Sequence, residues 1–466
     1  MAMTRTALVG LLLRWHMRLG ALVSAGIIAW GLSGLAHPII SRLQPVADQH
    51  RYPLNAMSGS ELLSPAEALQ RAGIAAPVTA LRLVDWGQGA QYRVALAGQV
   101  LWLDARSAAL LPHAEQAYAT QLARHFSGDQ ASPVVQLTEQ RQFSEDYLFI
   151  NRLLPVQRVA FARDDALRVY VDTASGRLAA MVDANKAAGS ALFRNLHNWV
   201  FIPNEQLRHG AMLVFLFGGI VVGVMGAGQY VMQARSGRGW RKGSAARTWH
   251  RRLGIVVALT TVTFSVSGAW HLLQKHNPAP SHAMPNVAFS PSALSLDWGP
   301  LGDGIRQAEL VAVQGQPYFR VWQSGELSYV HAASSQELAG GEAQHARELA
   351  SYYSGNAELG EAVWITRFEG EYGFINKRLP VVAFENLQNG DRYYVEPRSG
   401  VLAAHVRDSD RAEGWSFAWL HKWHFLDGLG RDTRDAVAAL FALGIAASFA
   451  LGVFLYCRRL RQGKPG

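Results

Sequence analysis

The run Arg14-Trp15-His16-Met17-Arg18-Leu19-Gly20 opens a long apolar stretch that closes at Ser33-Gly34-Leu35-Ala36-His37. The same arrangement returns as Thr248-Trp249-His250-Arg251-Arg252-Leu253-Gly254 and Ser267-Gly268-Ala269-Trp270-His271. In each copy the two histidines are 21 residues apart. At 1.5 Å per helical residue that is about 31 Å, the depth of a bilayer's hydrocarbon core, so each segment reads as a spanning helix with one imidazole at each face. Ionisable side chains in a span are costly and turn into the bundle, which makes a functional role the default reading. A single interfacial histidine is ordinarily inert; two positions matched in two copies point to ligation.

Four apolar runs fit a crossing: residues 11–37, 210–232, 250–273 and 436–457. The first is too long for a signal-peptide core and lacks a small-residue cleavage site, so it reads as a retained anchor that Pro38 terminates. The formal charge of +9 and pI near 9.7 could suggest nucleic acid, but the basic residues sit at one end of every span. Arg5, Arg14 and Arg18 lie before or at the start of the first; Arg235, Arg238, Arg241, Lys242, Arg247, Arg251 and Arg252 fall in or beside the 233–250 loop; Arg458, Arg459, Arg461 and Lys464 follow the fourth. The positive-inside rule makes these the cytoplasmic ends, with both termini inside and both long polar segments outside. The single cysteine, Cys457, excludes intramolecular disulfides, iron–sulfur clusters and thiolate zinc sites.

The polar segments at 60–185 and 290–408 are long enough for domains. Ser64-Pro65 reads as a capped helix start, and Leu81–Leu103 as strands broken at Gly87-Gln88-Gly89 and Ala97-Gly98. A helix is expected over Ala114–Phe126, and strands over Asp146–Ile150, Arg158–Arg163 and Leu167–Val171. Tyr170-Val171-Asp172-Thr173-Ala174-Ser175-Gly176 forms a hairpin with a twin at Tyr394-Val395-Glu396-Pro397-Arg398-Ser399-Gly400. Tyr147-Leu148-Phe149-Ile150-Asn151-Arg152 and Leu154-Pro155-Val156 return as Tyr372-Gly373-Phe374-Ile375-Asn376-Lys377 and Leu379-Pro380-Val381. The expected fold is an α-helical membrane protein, a four-helix bundle built by tandem duplication with two α+β outer domains. Aromatic, amphipathic stretches at 188–202 and 412–426, carrying His197 and His421, read as interfacial helices at the outer surface.

Bis-histidine b-type haem in a bundle needs facing imidazoles, an apolar slot and small residues for close approach. Gly20, Gly26, Gly31, Gly34, Gly254 and Gly268 supply the last, and Arg14, Arg18, Arg251 and Arg252 could meet propionates. At the cytoplasmic side only His16 and His250 are available. At the outer side His37, His197, His271 and His421 are equal candidates, enough for one haem or two. His209 and His424 lack twins, and His209 reads as a solvated interfacial side chain. His50, His113, His125, His276, His282, His331, His345 and His405 read as surface. No His-x-x-x-His or Glu-x-x-His spacing joins the candidates into a zinc site, and phosphate-cradling glycine motifs are absent.

The order of these motifs, with Trp-His-x-Arg-Leu-Gly opening odd spans, Leu-His before even ones and Tyr-Val-Asp-x-x-Ser-Gly hairpins, resembles the PepSY-associated transmembrane-helix family over nearly the full chain. The family includes iron-regulated inner-membrane proteins, among them ferric-siderophore reductases. The resemblance implies PepSY-like periplasmic domains, a bacterial inner-membrane location and haem. Its motifs fall on His16, His250, His197 and His421, whereas His37 and His271 rest on spacing. The expected activity is reduction of a ferric siderophore or other ferric chelate through haem b, one group or two or more, fed by an unidentified electron donor. Nucleic acid is not an expected partner; membrane lipid is. A competing expectation is a membrane-anchored PepSY module that binds or restrains a periplasmic protein without redox activity. A chelate transporter ranks last, because the span centres are apolar.

Overall fold

The computed structural model describes residues 5–235, 244–276, 285, 287–373, 376 and 378–463. Arg238, Arg241, Lys242, His282, Phe374, Ile375, Lys377 and Lys464 lie outside the described residues. The chain runs α1 (Arg5–Arg42), β1 (Met57–Ser58), α2 (Pro65–Arg71), β2 (Ala80–Asp85), β3 (Ala90–Leu96), β4 (Gln99–Asp104) and α3 (Ala114–Ser127). It continues with β5 (Val134–Gln140), β6 (Val156–Phe161), β7 (Arg168–Asp172), β8 (Arg177–Val182), α4 (Ala184–Asn198), α5 (Glu205–Arg235) and α6 (Ala245–Gln274). The second half follows with β9 (Asp303–Val313), β10 (Gln316–Gln323), β11 (Glu326–His331), α7 (Gly341–Ser354), β12 (Val363–Ile365), β13 (Val381–Glu385), β14 (Arg392–Glu396) and β15 (Val401–Val406). It closes with α8 (Asp408–Ser416) and α9 (Arg431–Arg461). These elements form two compact units: residues 1–44, 185–278 and 409–466 make one, and 45–184 with 279–408 the other.

The helical unit contains α1, α5, α6 and α9, all long and apolar enough to cross a membrane, and the chain is a membrane protein. Each helix overshoots the boundaries expected from hydropathy, because backbone hydrogen bonding continues past the apolar stretch until a cap stops it. At the start of α6, Ser244 Oγ accepts from the Arg247 amide at 3.4 Å. Pro38 does not end α1. It removes only the bond to the Gly34 carbonyl, and Ser41 Oγ and Arg42 Nη1 donate to the Pro38 carbonyl at 2.9 and 2.8 Å, holding one more turn. The second interfacial stretch is not one helix: α8 passes into a π-helical turn at Phe417–His421 and a 3-10 segment at His424–Leu429.

In the other unit the two polar segments share a sheet. Its strand order is β11-β10-β9-β2-β3-β4, with β1 paired to β9. The segments therefore form one compact unit rather than two beads. Two four-stranded sheets, β5-β6-β7-β8 and β12-β13-β14-β15, repeat one another's order. Asp146–Ile150 is not a strand: Tyr147 is buried and a 3-10 turn occupies Phe149–Asn151, while the outer strand of that sheet is β5. In α3, Tyr118, Ala119, Leu122, Ala123 and Phe126 face the core at helical spacing, and Gly128 (φ 72°) ends the helix. In α7, His345, Ala346, Leu349, Ala350 and Tyr353 do the same. His345 thus takes the place of Tyr118. It is buried, not on the surface, with Nδ1 3.3 Å from the Tyr329 hydroxyl, and burial lowers its pKa to about 4.

Buried charge joins the halves. Arg82 and Glu309 are cross-strand partners of β2 and β9, and Glu309 also takes Arg398 at 2.7 Å and Arg320 at 3.5 Å. Each half carries its own strand-to-helix pair, Arg93–Glu115 at 3.1 Å and Arg320–Glu342 at 2.7 Å.

Candidate functional site

Within the helical unit α1 packs on α5 and α9, and α6 packs on the same two helices, so α1 and α6 face each other across the bundle. Val23, Ile27, Val222, Val257, Ile445 and Phe449 fill the space between the two ends of the bundle. The odd spans can therefore present side chains to one another across an apolar interior, which is where an intramembrane histidine is tolerated.

At the arginine-rich end His16 and His250 face each other with ring centroids 6.3 Å apart and planes at 52°. Each ring rests against a glycine of the neighbouring even helix. A Cβ placed on Gly226 would lie 3.1 Å from His16 Cε1, and one on Gly452 would lie 3.2 Å from His250 Cε1. His250 Nδ1 donates to the Ser448 carbonyl at 2.9 Å, which leaves the Nε2 lone pair available to a ligand. His16 has the Val222 backbone in the corresponding place, although its Nδ1 makes no well-formed hydrogen bond among the described residues. Of the glycines expected to admit close approach, Gly31 and Gly26 are tightly enclosed; Gly20 and Gly254 have ordinary contacts. Gly226 and Gly452, the two that touch the histidines, were legible only as glycines at matched positions in the even spans.

At the other end six aromatic or imidazole rings form two mirrored series of three. His37 meets Phe193 (5.3 Å), which stacks on His197 (4.7 Å); His271 meets Phe417 (5.2 Å), which stacks on His421 (4.9 Å). His197 and His421 face each other at 6.3 Å with planes at 88°. The pair that meets is thus His197 with His421. His37 and His271 stand one phenylalanine behind them, and His271 Nδ1 is engaged by Glu413 at 2.7 Å. Ser33 donates to the Trp30 carbonyl at 2.8 Å and lies 2.9 Å from His197 Nδ1, so Nδ1–H donates to Ser33 Oγ and Nε2 carries the lone pair. Trp30 Nε1 donates to the His197 carbonyl at 2.9 Å and stacks on Trp199. In the other half Phe264 stands where Trp30 does, against His421 and Trp423, and Ser267 donates to Ser416 at 3.4 Å. Burial, followed by the Lys422 charge, lowers the His197 pKa to about 3; burial, then His197, does the same for His421. Both imidazoles are neutral, the ligating form.

The spacing tests whether a metal fits. A five-membered ring with bonds of about 1.35 Å places each nitrogen about 1.15 Å from the centroid. With a metal–imidazole bond of about 2.0 Å, two imidazoles in line on one metal have centroids about 6.3 Å apart. Both pairs have that separation. Two protein ligands suit an iron whose other donors come from a macrocycle, whereas zinc needs three or four. Among the described residues no group of three or more His, Cys, Asp or Glu side chains gathers.

The family model for the PepSY-associated TM region matches residues 13–459, nearly the whole chain. The chain belongs to this PepSY-associated TM family. No curated protein matches it. All six candidate histidines of this PepSY-associated TM protein fall inside the matched region. His209 is buried rather than solvated, with Nδ1 3.2 Å from His276 Nε2, so neither stands alone at the surface. His405 stacks on Tyr393 and bonds Asp391, His125 bonds the Arg51 carbonyl, and His424 bonds Asp427. None of these meets the two facing pairs.

Proposed function

We propose that this protein holds one haem b between His16 and His250 and another between His197 and His421, and passes electrons across a bacterial inner membrane. The acceptor is ferric iron in a siderophore or other chelate on the periplasmic side. Each ferric ion takes one electron, supplied by a reductant on the cytoplasmic side. The observation that carries this reading is the 6.3 Å imidazole spacing, repeated at both ends of one bundle. When bound, haem supplies the one-electron redox chemistry. The chain's residues supply the rest. Ser448 and Ser33 fix ring orientation through Nδ1, Gly226 and Gly452 let the inner rings approach the even helices closely, and Phe193, Phe417 and Phe264 exclude water at the outer pair.

Arginine at the His16/His250 end supports a cytoplasmic inner pair and periplasmic outer segments. Matched motifs, sheet orders and histidine environments support descent by tandem duplication. The test is an optical spectrum of the detergent-purified protein before and after dithionite. Low-spin b-type bands are expected, and the reduced protein should reoxidise with a ferric siderophore while a ferrous trap develops colour. A colourless protein from haem-sufficient cells would favour a non-redox PepSY module.

A further inference from the structure

The twin turns around Asn151-Arg152 and Asn376 play no part in the histidine sites, yet they converge. Phe143, Phe149, Arg152, Asn376, Arg378 and Leu402 line one open cleft of about 280 Å³ between the two halves of the sheet-containing unit. Arg152 adopts φ 63° at the end of the 3-10 turn, and its guanidinium lies over the Phe149 ring at 4.7 Å. Phe149 remains 63% exposed and meets Phe143 edge-to-face at 5.3 Å.

The charge of the cleft is one-sided. Its charged lining residues are both arginines, and among the described residues no carboxylate pairs with Arg152. Arg378 and Arg177 share one buried carboxylate, Glu396, at 2.7 and 2.5 Å, so even this inner cluster carries excess positive charge. Phe143 already stacks on Tyr147, but Phe149 stays largely exposed. A bare oxyanion would satisfy Arg152 and leave Phe149 unused, whereas a planar aromatic anion would use both, stacking on the Phe149 ring while its oxygens meet the guanidinium fork. The volume, just below that of ordinary small-molecule sites, suits a single substituted ring and not a whole tris-chelate.

We propose that this cleft binds an anionic aromatic ring, catecholate or hydroxybenzoate in type, as one arm of a ferric chelate. This rests on the reading of the protein as a ferric-chelate reductase. The substrate class it selects is the aryl-oxygen chelates over the hydroxamates.

The test uses the full-length protein in detergent and calorimetric titration with the gallium(III) complex of a tris-catecholate, which cannot be reduced and so reports binding independently of haem. Parallel titrations use a gallium tris-hydroxamate, free 2,3-dihydroxybenzoate and inorganic phosphate. Tris-catecholate should bind most tightly. Arg152→Ala should weaken it at least about tenfold, Arg152→Lys less, and Phe149→Ala severalfold, with thermal unfolding of each variant confirming an intact fold. Unchanged affinity in Arg152→Ala and Phe149→Ala overturns the cleft. Hydroxamate or phosphate binding as tightly overturns the aromatic assignment, and free dihydroxybenzoate binding as tightly overturns the chelate. Arg152-dependent gallium binding by a colourless protein would keep the cleft and sink the reductase; a haem-bearing protein without such binding would do the reverse.

Discussion

Gly226 offers the sharpest test of the inner site. A methyl group there would lie 3.1 Å from His16 Cε1, against an ordinary carbon contact of about 3.5 Å, so the ring must retreat by about 0.4 Å. Metal–ligand distances hold to about 0.2 Å, so Gly226→Ala should weaken the hold that His16 would have on a haem and Gly226→Val should abolish it. Losses on the scale of outer-shell mutations, about 10–100-fold in haem affinity, are expected for Ala, and absence of the inner haem for Val. Helix propensity works the other way, favouring alanine over glycine by about 1 kcal/mol, so lower haem content in an equally stable helix isolates the steric effect. Gly228→Ala, where a Cβ meets nothing within 4 Å, is the control. The assay is haem per protein with a low-temperature EPR spectrum to separate the two sites. Full haem content with unchanged signals in Gly226→Val would refute the proposal that His16 holds a haem.

His16→Ala and His250→Ala should each remove the same haem and spare the outer one, read as a drop from two haems to one; loss in only one variant would break the pairing. His197→Ala or His421→Ala should abolish the outer haem, whereas His37→Ala and His271→Ala should leave it low-spin, by EPR. Ser33→Ala removes the Nδ1 bond to His197 and should shift the outer midpoint potential without moving the inner one, by redox titration. In the sheet-containing unit burial alone would raise the Glu396 carboxyl, but Arg177 and Arg378 outweigh it and hold it at about 2. Its folded pKa is below the unfolded value of about 4.5, so its stabilisation is complete above that pH and lost as pH falls toward 2. Near-ultraviolet circular dichroism should show acid loosening in that window, and Glu396→Gln, which leaves two buried arginines uncompensated, should cost about 3–5 kcal/mol.

The sequence alone was enough to read four spans, matched motifs in the two halves and the pairing of His16 with His250. Helical rise turns a 21-residue spacing into a membrane thickness, and His16 and His250 were the only histidines at that end. It also located most strands of the polar segments, where apolar residues alternate and glycine turns interrupt. Hydropathy could not place helix ends, since capping and not apolarity stops a helix, and it misread Asp146–Ile150, whose aromatic run forms a turn around buried Tyr147. Tertiary structure decided which outer histidines meet. His37, His197, His271 and His421 are equivalent as residues on their own segments, and only the packing of α4 and the π-helical turn against the odd spans brings His197 to His421 and leaves His37 and His271 one phenylalanine behind them. Likewise Gly226 and Gly452 are ordinary helix glycines until a ring from another helix lies on them, and the pairing of β2 with β9 joins residues over 200 positions apart. Local pattern fixes what a segment can be; contacts between distant segments depend on every surface packing at once, and no window of sequence contains them.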